Sequence, residues 1–392
     1  MTVSTPDAAS SGTLLDVARD VASEIWAHRD EIERDRRLPT ALIDRLARAD
    51  LFRLLVPYAL GGLEVDILTA VQVFEEIARV DGSACWAVMI GNSGLFTAWL
   101  DLEAGEEIIG SAPRAPMGGV LAPTGRAVRV QGGYRVTGRW AFASGCEYAT
   151  WLLGGCQLYN GEQARSTPTG APELRLMFFP RAECEILDTW SAGGLRGSGS
   201  HDFRVRDVFV PCRRSFSSAA APVQPGPLYR LPFLALLASM LPAVALGIAR
   251  GAIDALAELA ATKTPAASRS LLGERAMVQV QIAQAEALVR SGRAFLFETL
   301  REAWADVVAG RTISLRQHAL LRLAATHSAA CAAEAVDLMY QAGGGTSVYT
   351  SSRLERAFRD VHVATQHLAI ATTVYGPVGR VLLGLDPGTP AF

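Results

Sequence analysis

The sequence lacks an excess of either charge. Its 37 lysine and arginine residues nearly balance 39 aspartate and glutamate residues over 392 positions, and the net charge is −2. A near-neutral balance provides no broad basic surface, so DNA and RNA are not expected partners. Half of the residues are hydrophobic, which is typical of a globular protein with a sizeable core.

Cysteine and histidine are also scarce, with six of each. The cysteines form no C-x-x-C pair and the histidines show no H-x-x-x-H spacing, so no metal site is predicted. Scattered thiols are typical of reduced cysteines, and the expected location is cytoplasmic. The cysteines are Cys85, Cys146, Cys156, Cys184, Cys212 and Cys331.

Long uncharged runs are rare, and the nineteen residues from Leu231 to Ala249 are long enough to cross a membrane. Pro232 and Pro242 interrupt this run, and polar sequence with helical spacing follows it. These features favour a buried helix over a membrane span. The amino-terminal MTVSTPDAASSGT has neither a basic start nor an apolar centre, so we interpret it as a frayed tail and not a signal peptide. No membrane partner is expected.

The length of the chain predicts two or three packed units, because single cores stop growing at roughly 250–300 residues. Helical spacing dominates the first part, short alternating segments with glycine and proline follow, and long helical segments fill the rest. We therefore predict an α+β, mainly α, protein with a helical domain over 1–115, a middle β domain over 116–227 and a helix bundle over 228–392.

Residues 132–155 read GGYRVTGRWAFASGCEYATWLLGG and contain the strand pattern most relevant to a ligand site. Tyr134 to Trp140 alternates as a strand does. Extending the alternation places Trp140, Phe142 and Ser144 on one face, where two aromatic rings and a hydroxyl suit a planar, hydrogen-bonding ligand. The simpler interpretation is a buried aromatic strand whose serine begins a turn.

The amino-terminal part contains a helix from Ile67 to Val80, predicted to end at Asp81-Gly82 with the glycine as a left-handed stop. A further helix is predicted to carry Trp86, Asn92 and Phe96 toward the interior. Farther along, residues 190–202 read WSAGGLRGSGSHD. This segment is a wide glycine-rich turn, and glycines alone do not make a phosphate site.

The last long helix follows Gly343-Gly344-Gly345 and begins after a possible capping box, Ser352-x-x-Glu355. Arg356, Asp360 and His367 lie on one stripe at four- and seven-residue steps. The simpler interpretation is a surface ion pair between Arg356 and Asp360 beside a structural histidine. Imidazole is nevertheless the side chain best suited to proton transfer near neutral pH.

Four segments together make the chain resemble the flavin-dependent monooxygenase branch of the acyl-CoA dehydrogenase superfamily. The W-x-x-x-S-G and G-S-H-D-x-x-V-x-D-V-F-V-P combinations are the most discriminating parts. The segments are LFRLLVPYALGG with EEIARVDGSACW, LAPTGRA with GRWAFASGCEYATW, GLRGSGSHDFRVRDVFVP, and RLERAFRDVHVATQH. The resemblance implies a helical domain, a β-barrel-like domain and a four-helix bundle, in that order.

The resemblance also implies which residues hold the cofactor, a reduced flavin, FAD or FMN. Ser144 would lie near the central-ring nitrogen, and His367 would lie over the reactive face as a proton donor or acceptor. Residues 121–125 would form a backbone loop on the flavin, and Arg269 or Lys263 would neutralise a phosphate. The implied cofactor residues are Trp140, Phe142, Ser144, Leu121, Thr124, Arg269, Gln341, Gly345 and Thr346.

The resemblance implies fewer substrate-binding residues than cofactor-binding residues. Trp86, Asn92 and Phe96 are expected to line the substrate pocket, with Asn92 as a possible catalytic group. Related phenol hydroxylases often carry a histidine in this helix, and residues 88–99, VMIGNSGLFTAW, contain none. Asparagine can hydrogen-bond a hydroxyl but cannot deprotonate it. An electron-rich ring such as an indole or a polyketide, an amine and a sulfur atom remain open as substrates.

The expected activity is that of the oxygenase component of a two-component monooxygenase. Such a protein takes reduced flavin from a separate reductase and uses O2 to oxygenate a small organic, aromatic substrate through a flavin hydroperoxide. The alternative is an acyl-CoA dehydrogenase-type oxidoreductase, which needs a carboxylate base. Residues 363–369, VATQHLA, contain none, although a second family location could hold one. A catalytically silent scaffold is a third possibility, and a homotetramer is implied by the family alone.

Overall fold

The computed structural model describes residues 11–266, 268–389 and 392. Residues 1–10 of the predicted tail lie outside the described residues, and Ser11 already begins a helix. Five α-helices precede the first strand. They are α1 (Ser11–Asp35), α2 (Thr40–Arg48), α3 (Ile67–Val80), α4 (Gly82–Gly91) and α5 (Leu102–Gly110).

Aspartate side chains begin three of these helices. Asp66 accepts a hydrogen bond from the amide of Thr69 and so caps α3, and Asp81 caps α4 by accepting from the amide of Ala84 at 2.8 Å. Each carboxylate satisfies an amide that the first turn of a helix leaves free. The predicted left-handed stop at Gly82 is wrong, because Gly82 is the first residue of α4 and Asp81 is extended with φ −156°. Asp101 caps α5 in the same way.

The middle of the chain forms one eight-stranded sheet. Its strands are β1 (Gly118–Val130), β2 (Gly133–Ala143), β3 (Trp151–Asn160), β4 (Gln163–Ala164), β5 (Leu174–Pro180), β6 (Glu185–Leu187), β7 (His201–Pro211) and β8 (Ser215–Phe216). The order is β6-β7-β2-β1-β3-β5-β8, with β4 paired to β3. Only the β1–β3 pair is parallel among the described strands. A separate hydrophobic core lies within this unit, around Trp140, Phe179 and Phe203.

Long helices fill the last part of the chain. They are α6 (Phe233–Thr262), α7 (Ala276–Val308), α8 (Leu315–Gly343), α9 (Arg353–Ala364) and α10 (Tyr375–Leu382). The helix α6 packs against both α3 and α8. Gly247 allows the close approach to α3, because a Cβ there would lie 2.5 Å from the Cβ of Ala78.

The predicted order of helical domain, β domain and helix bundle is confirmed, and the fold is α+β, mainly α. By length and composition α6 could cross a membrane, but 78% of its most apolar window is buried within the protein. This packing is that of a core helix, as predicted. The proposed boundaries at residues 115 and 227 fall between α5 and β1 and between β8 and α6, and they stay a prediction.

Candidate active site

The end of strand β2 does not have the geometry that alternation predicts. The pairing of β2 with β7 shifts register between Trp140 and Ala143, and Phe142 adopts a left-handed conformation with φ +66°. An irregularity of this kind turns the following side chains away from their regular faces. The prediction that Trp140, Phe142 and Ser144 share a face is therefore wrong.

Trp140 is a core residue of the β domain. It is fully buried, its indole nitrogen donates to the carbonyl of Gly155 at 2.8 Å, and its ring stacks on Phe203 with centroids 4.6 Å apart. The indole nitrogen is thus hydrogen-bonded and the ring is fully packed inside the sheet. Trp140 has no surface left for a flavin and is not part of the candidate site.

Phe142, in contrast, is 71% exposed and contacts Trp190 edge-on. An exposed ring at the end of a strand, held by a conformation that phenylalanine rarely adopts, is unusual for a structural residue. The next hydrogen-bonding side chain, Ser144, is 5% exposed and lies two residues farther on. Together they provide an apolar platform beside a polar group.

The Ser144 hydroxyl belongs to a buried chain of hydrogen bonds. The indole nitrogen of Trp86 donates to Ser144 Oγ at 2.9 Å, and the hydroxyls of Ser144 and Ser200 are 2.7 Å apart. Ser200 is in turn 2.7 Å from the hydroxyl of Ser198. Sequence analysis missed both Ser198 and Ser200, although the repeated serines of GSGSHD could have indicated them.

His367 lies outside the helix on which it was predicted. The helix α9 ends at Ala364, and His367 instead begins a short 3-10 turn, where its Nδ1 accepts a hydrogen bond from the amide of Ala369 at 3.2 Å. Because Nδ1 is an acceptor, the proton of the neutral ring is on Nε2. Although His367 retains solvent contact, the surrounding protein desolvates the imidazole and lowers its pKa.

Trp86 joins two of the three predicted catalytic residues, Ser144 and His367. Its ring is 6.0 Å from the ring of His367, centroid to centroid, while its nitrogen binds Ser144. Trp86 itself is buried, with 8% exposure. Segments that are far apart in the sequence therefore meet at one indole, and this convergence defines the candidate site.

A buried charge cluster holds the elements that carry the site. Arg356 pairs with Asp81 at 2.6 Å and lies 3.7 Å from Asp360, while Asp360 accepts from the amide of Leu195 at 2.6 Å. Asp81 precedes the helix of Trp86, Leu195 precedes the Ser198–Ser200 loop, and α9 leads to His367. The interpretation of Arg356 and Asp360 as a surface pair is wrong, because their side chains are only 16% and 3% exposed.

A cavity of about 600 Å³ lies beside this cluster, lined in part by Glu33, Arg356, Arg359 and Asp360. Its lining does not include Phe142, Ser144 or His367. Most of its charged side chains are already paired, as Arg359 is with Glu33 and Glu355. The cavity therefore does not contain the predicted reactive side chains. The candidate site is the surface around Ser144 and His367, where those side chains lie.

One of the three predicted substrate residues is structural. Asn92 is fully buried, and its amide nitrogen donates to the carbonyls of Leu51 and Val88 while its oxygen accepts from the amide of Leu55. Phe96 is 5% exposed and packs against Phe216 and Phe233. The prediction of Asn92 as a catalytic or substrate group is wrong for this structure, and that of Phe96 as a pocket residue stays a prediction.

Asn92→Ala tests the structural role directly. Loss of the amide leaves buried backbone groups of Leu51 and Leu55 without partners, so we expect the free energy of unfolding to fall by about 3 kcal/mol. Urea unfolding measures this loss. The matched control is Ser93→Ala, which removes one hydrogen bond to Ile90 and should cost about 1 kcal/mol. A stable Asn92→Ala variant with weakened ligand binding would restore Asn92 to the site.

The predicted backbone loop at residues 121–125 lies beside the end of β2. Strand β1 shifts register between Val120 and Gly125, and the Thr124 hydroxyl donates to the carbonyl of Arg139 at 2.8 Å. Leu121 is half-buried and Thr124 is exposed. The loop therefore lies beside Arg139, three residues before Phe142 on β2.

The predicted phosphate-binding residues form a separate group. Lys263 donates to the carbonyl of Gly343 at 2.8 Å and so caps the end of α8. Gln341, Gly344 and Gly345 are exposed there. Arg269 is exposed and has no hydrogen bond or ion pair with another described residue, which leaves its guanidinium available. Among the described residues, no hydrogen bond, ion pair or ring contact joins Gln341, Gly345, Thr346 or Arg269 to Ser144 or His367.

Comparison with known proteins agrees with the architecture. Residues 11–107 match the family model described as acyl-CoA dehydrogenase, N-terminal domain, and residues 239–372 match acyl-CoA dehydrogenase, C-terminal domain. The chain is 35% identical over 374 residues to indole-3-acetate monooxygenase of Pseudomonas putida, covering 95% of this chain and 93% of that protein.

Solved structures give the same result. The chain superimposes on the HsaA monooxygenase of M. tuberculosis with a TM-score of 0.90 and 28% identity, covering 97% of this chain and 100% of that one. It matches XiaF from Streptomyces sp., solved with FADH2 and glycerol, with a TM-score of 0.90, 25% identity and coverage of 97% and 98%.

The fold thus defines a protein of the acyl-CoA dehydrogenase superfamily. Within it, the chain belongs to the flavin-dependent monooxygenases and is the oxygenase component of a two-component system. The predicted family, activity and reduced-flavin cofactor are confirmed, and oxygenation is favoured over acyl-CoA dehydrogenation.

Proposed function

We propose that the surface of Phe142, Ser144 and His367 binds the isoalloxazine ring of the reduced flavin. The observation that carries this proposal is the convergence of Ser144 and His367 on Trp86. A flat, partly apolar ring with polar edges fits an exposed phenylalanine next to a serine hydroxyl. The exposed Leu368, beside His367, extends the apolar surface.

The protein's own residues supply binding, orientation and proton handling. Phe142 supports the ring, Ser144 hydrogen-bonds its polar edge, and the neutral imidazole of His367 takes up a proton as imidazolium and returns it. The flavin, when bound, supplies the activation of O2. Trp86 separates the serine from the imidazole and excludes water between them.

The substrate of the proposed reaction is a small aromatic compound. Two relatives are named indole-3-acetate monooxygenase and FADH2-dependent resorcinol hydroxylase. Because Asn92 is engaged in the core, substrate contacts come from residues around His367 and Trp86. Incubation of the chain with reduced flavin, labelled O2 and candidate aromatics tests this function, and a product without a labelled oxygen atom would contradict it.

The preferred flavin is FAD. The resorcinol hydroxylase is named as FADH2-dependent, and XiaF was solved with FADH2. The free guanidinium of Arg269 is the better phosphate ligand, since Lys263 is engaged by Gly343. Gln341, Gly345 and Thr346 contact the phosphate or ribityl part, in some cases from a neighbouring subunit.

A separate flavin reductase supplies the reduced cofactor, in agreement with the word component in the name of the resorcinol hydroxylase. The chain acts in the cytoplasm as a homotetramer. Exposed apolar residues near the carboxyl end, including Val348, Tyr349 and Leu383, support self-association because such side chains rarely remain in water together.

Ser144→Ala tests the proposed flavin contact. Loss of the hydroxyl removes a hydrogen bond of about 1 kcal/mol, so we expect about fivefold more hydrogen peroxide per product molecule. Peroxide and product are measured after a fixed amount of reduced flavin is consumed. Ser239→Ala is the matched control, because that buried hydroxyl bonds, among the described residues, to the carbonyl of Ala235 alone, within α6. An unchanged ratio would exclude Ser144 from this role.

A further inference from the structure

Three serine hydroxyls and one indole form a linear chain in the interior of the site. Ser144 is 5%, Ser198 0% and Ser200 5% exposed, and each successive oxygen pair is 2.7 Å apart. The loop that carries Ser198 and Ser200 is held tightly. The amide of Gly197 donates to Ser83 Oγ, and the amide of Gly145 donates to the carbonyl of Ser198. A Cβ on Gly197 would lie 2.0 Å from Ile32.

The direction of these hydrogen bonds follows from a count of protons. Each hydroxyl has one proton, and the chain of three contains two hydroxyl–hydroxyl bonds, so one proton must go elsewhere. The hydroxyls of Ser198 and Ser200 have no other hydrogen-bond partner among the described residues. If either kept the spare proton, a buried donor would be unsatisfied, which is unfavourable.

No arrangement gives all three protons an acceptor inside the protein, so the spare proton needs a ligand or water where the chain meets the candidate site, which is at Ser144. Ser198 donates to Ser200, Ser200 donates to Ser144, and the spare proton is that of Ser144. The Trp86 indole also donates to Ser144 Oγ, so both lone pairs of this oxygen are already occupied. Ser144 can therefore donate to a ligand but cannot accept from one.

We propose that Ser198 and Ser200 are positioning residues that, together with Trp86, fix the Ser144 hydroxyl as a hydrogen-bond donor toward the bound flavin. The orientation within the chain rests on an acceptor, water or ligand, beside Ser144, and its direction toward flavin rests on the proposed function. A preset donor needs no reorientation when the ligand binds. It also selects an acceptor atom of the flavin at this position.

The first experiment needs no flavin. The indole N–H resonance of Trp86 is followed by 15N-edited NMR in the full-length protein and is assigned among the seven tryptophans with Trp86→Phe. In Ser200→Ala, Ser144 loses a competing donor, so the indole bond should strengthen and its proton should move downfield. If Ser144 instead donated to Ser200, the Ser200→Ala variant would leave the Ser144 hydroxyl without its acceptor. The Ser144 oxygen would then be a weaker acceptor for the indole, and the Trp86 indole proton would move upfield.

The second experiment measures the dissociation constant of reduced FAD under anaerobic conditions. Ser200→Ala should weaken binding about twofold to fivefold, the effect of one compromised hydrogen bond. The same substitution in the S144A background should have no further effect, because a residue that acts through Ser144 has nothing left to position. Ser239→Ala, the buried control in α6, should change neither the resonance nor the affinity.

The results of the two experiments distinguish an error in the proposed orientation of the serine hydroxyls from an error in the proposed flavin site. An upfield or absent shift of the Trp86 resonance overturns the proposed orientation, whatever the affinity. Additive effects of Ser144→Ala and Ser200→Ala on affinity overturn the positioning role. If Ser144→Ala binds flavin as the wild type does while the resonance moves downfield, the flavin placement fails and the hydroxyl orientation stands.

Discussion

His367→Gln is expected to lower the rate of product formation about 100-fold, the scale of a lost general acid or base. Reduced-flavin affinity should change by less than about threefold, because glutamine retains a polar group of similar size. Single-turnover product formation and anaerobic flavin titration measure the two quantities. A variant that loses flavin affinity and product rate equally would show that His367 binds the cofactor and does not handle protons.

The control for this substitution is His362→Gln. His362 lies on α9 and pairs with Asp337 at 2.8 Å, with 40% of its side chain exposed. It does not contact Trp86, so its replacement should leave product formation unchanged. Equal losses in both variants would indicate a general effect on this end of the chain.

The pH dependence gives an independent test of His367. Desolvation lowers the pKa of its imidazole, so the ring stays neutral, with its proton on Nε2, through pH 7 and to below its ordinary value of 6.5. Product formation should therefore be constant near neutral pH and fall only when the pH drops below that value. His367→Gln should remove this acid limb.

Arg356→Leu is expected to lower the free energy of unfolding by about 3–5 kcal/mol, because it leaves buried carboxylates without their counter-charge. The side chains of Asp81 and Asp360 are 1% and 3% exposed. Urea unfolding measures the loss. Arg353→Leu breaks an exposed pair with Glu258 and should cost less than about 1 kcal/mol. A similar small loss for Arg356→Leu would contradict the importance of the cluster.

The same cluster has a defined pH dependence. Burial raises the pKa of Asp360 to about 7, and Arg356 opposes the rise. Because a carboxyl with a raised pKa binds more protons in the folded state, its contribution to stability falls as the pH rises from 3.8 toward 7. Without Arg356 this pKa should rise further. The loss in free energy of unfolding caused by Arg356→Leu should therefore be largest near pH 7 and smaller at pH 5.

The order of the three structural units could be predicted because it depends on patterns within each segment. Helical spacing identified Ile67–Val80 with the observed bounds, and alternation with glycine and proline identified the β domain. These signals are local: one strand or one helix contains all of the information. The uncharged run from Leu231 to Ala249 could likewise be predicted as a core helix, because its prolines and the polar sequence that follows it favour that interpretation over a membrane span.

Strand alternation failed at Phe142 for a local reason that side-chain type does not reveal. A left-handed phenylalanine at a register shift separates Trp140, inside the sheet, from Phe142, outside it. Two tryptophans with similar surroundings in the sequence thus have different roles: Trp140 packs the β core, and Trp86 bridges Ser144 and His367.

Long-range pairing accounts for the remaining errors. Asn92 satisfies backbone groups of the loop after α2, and Arg356 reaches Asp81, 275 positions earlier in the numbering. One sequence shows neither contact. The roles of Ser144 and His367 follow from the family resemblance. The repeated serines of GSGSHD mark Ser198 and Ser200, but their role depends on a loop meeting the end of β2, which the sequence does not show.

A structure of the protein with reduced FAD, determined without oxygen, tests the placement of the cofactor most directly. The isoalloxazine ring should lie on Phe142, with the Ser144 hydroxyl hydrogen-bonded to an acceptor atom of the ring and the imidazole of His367 over its reactive part. A ring bound in the charged cavity beside Arg356, or at any position beyond the reach of Ser144, would contradict this placement.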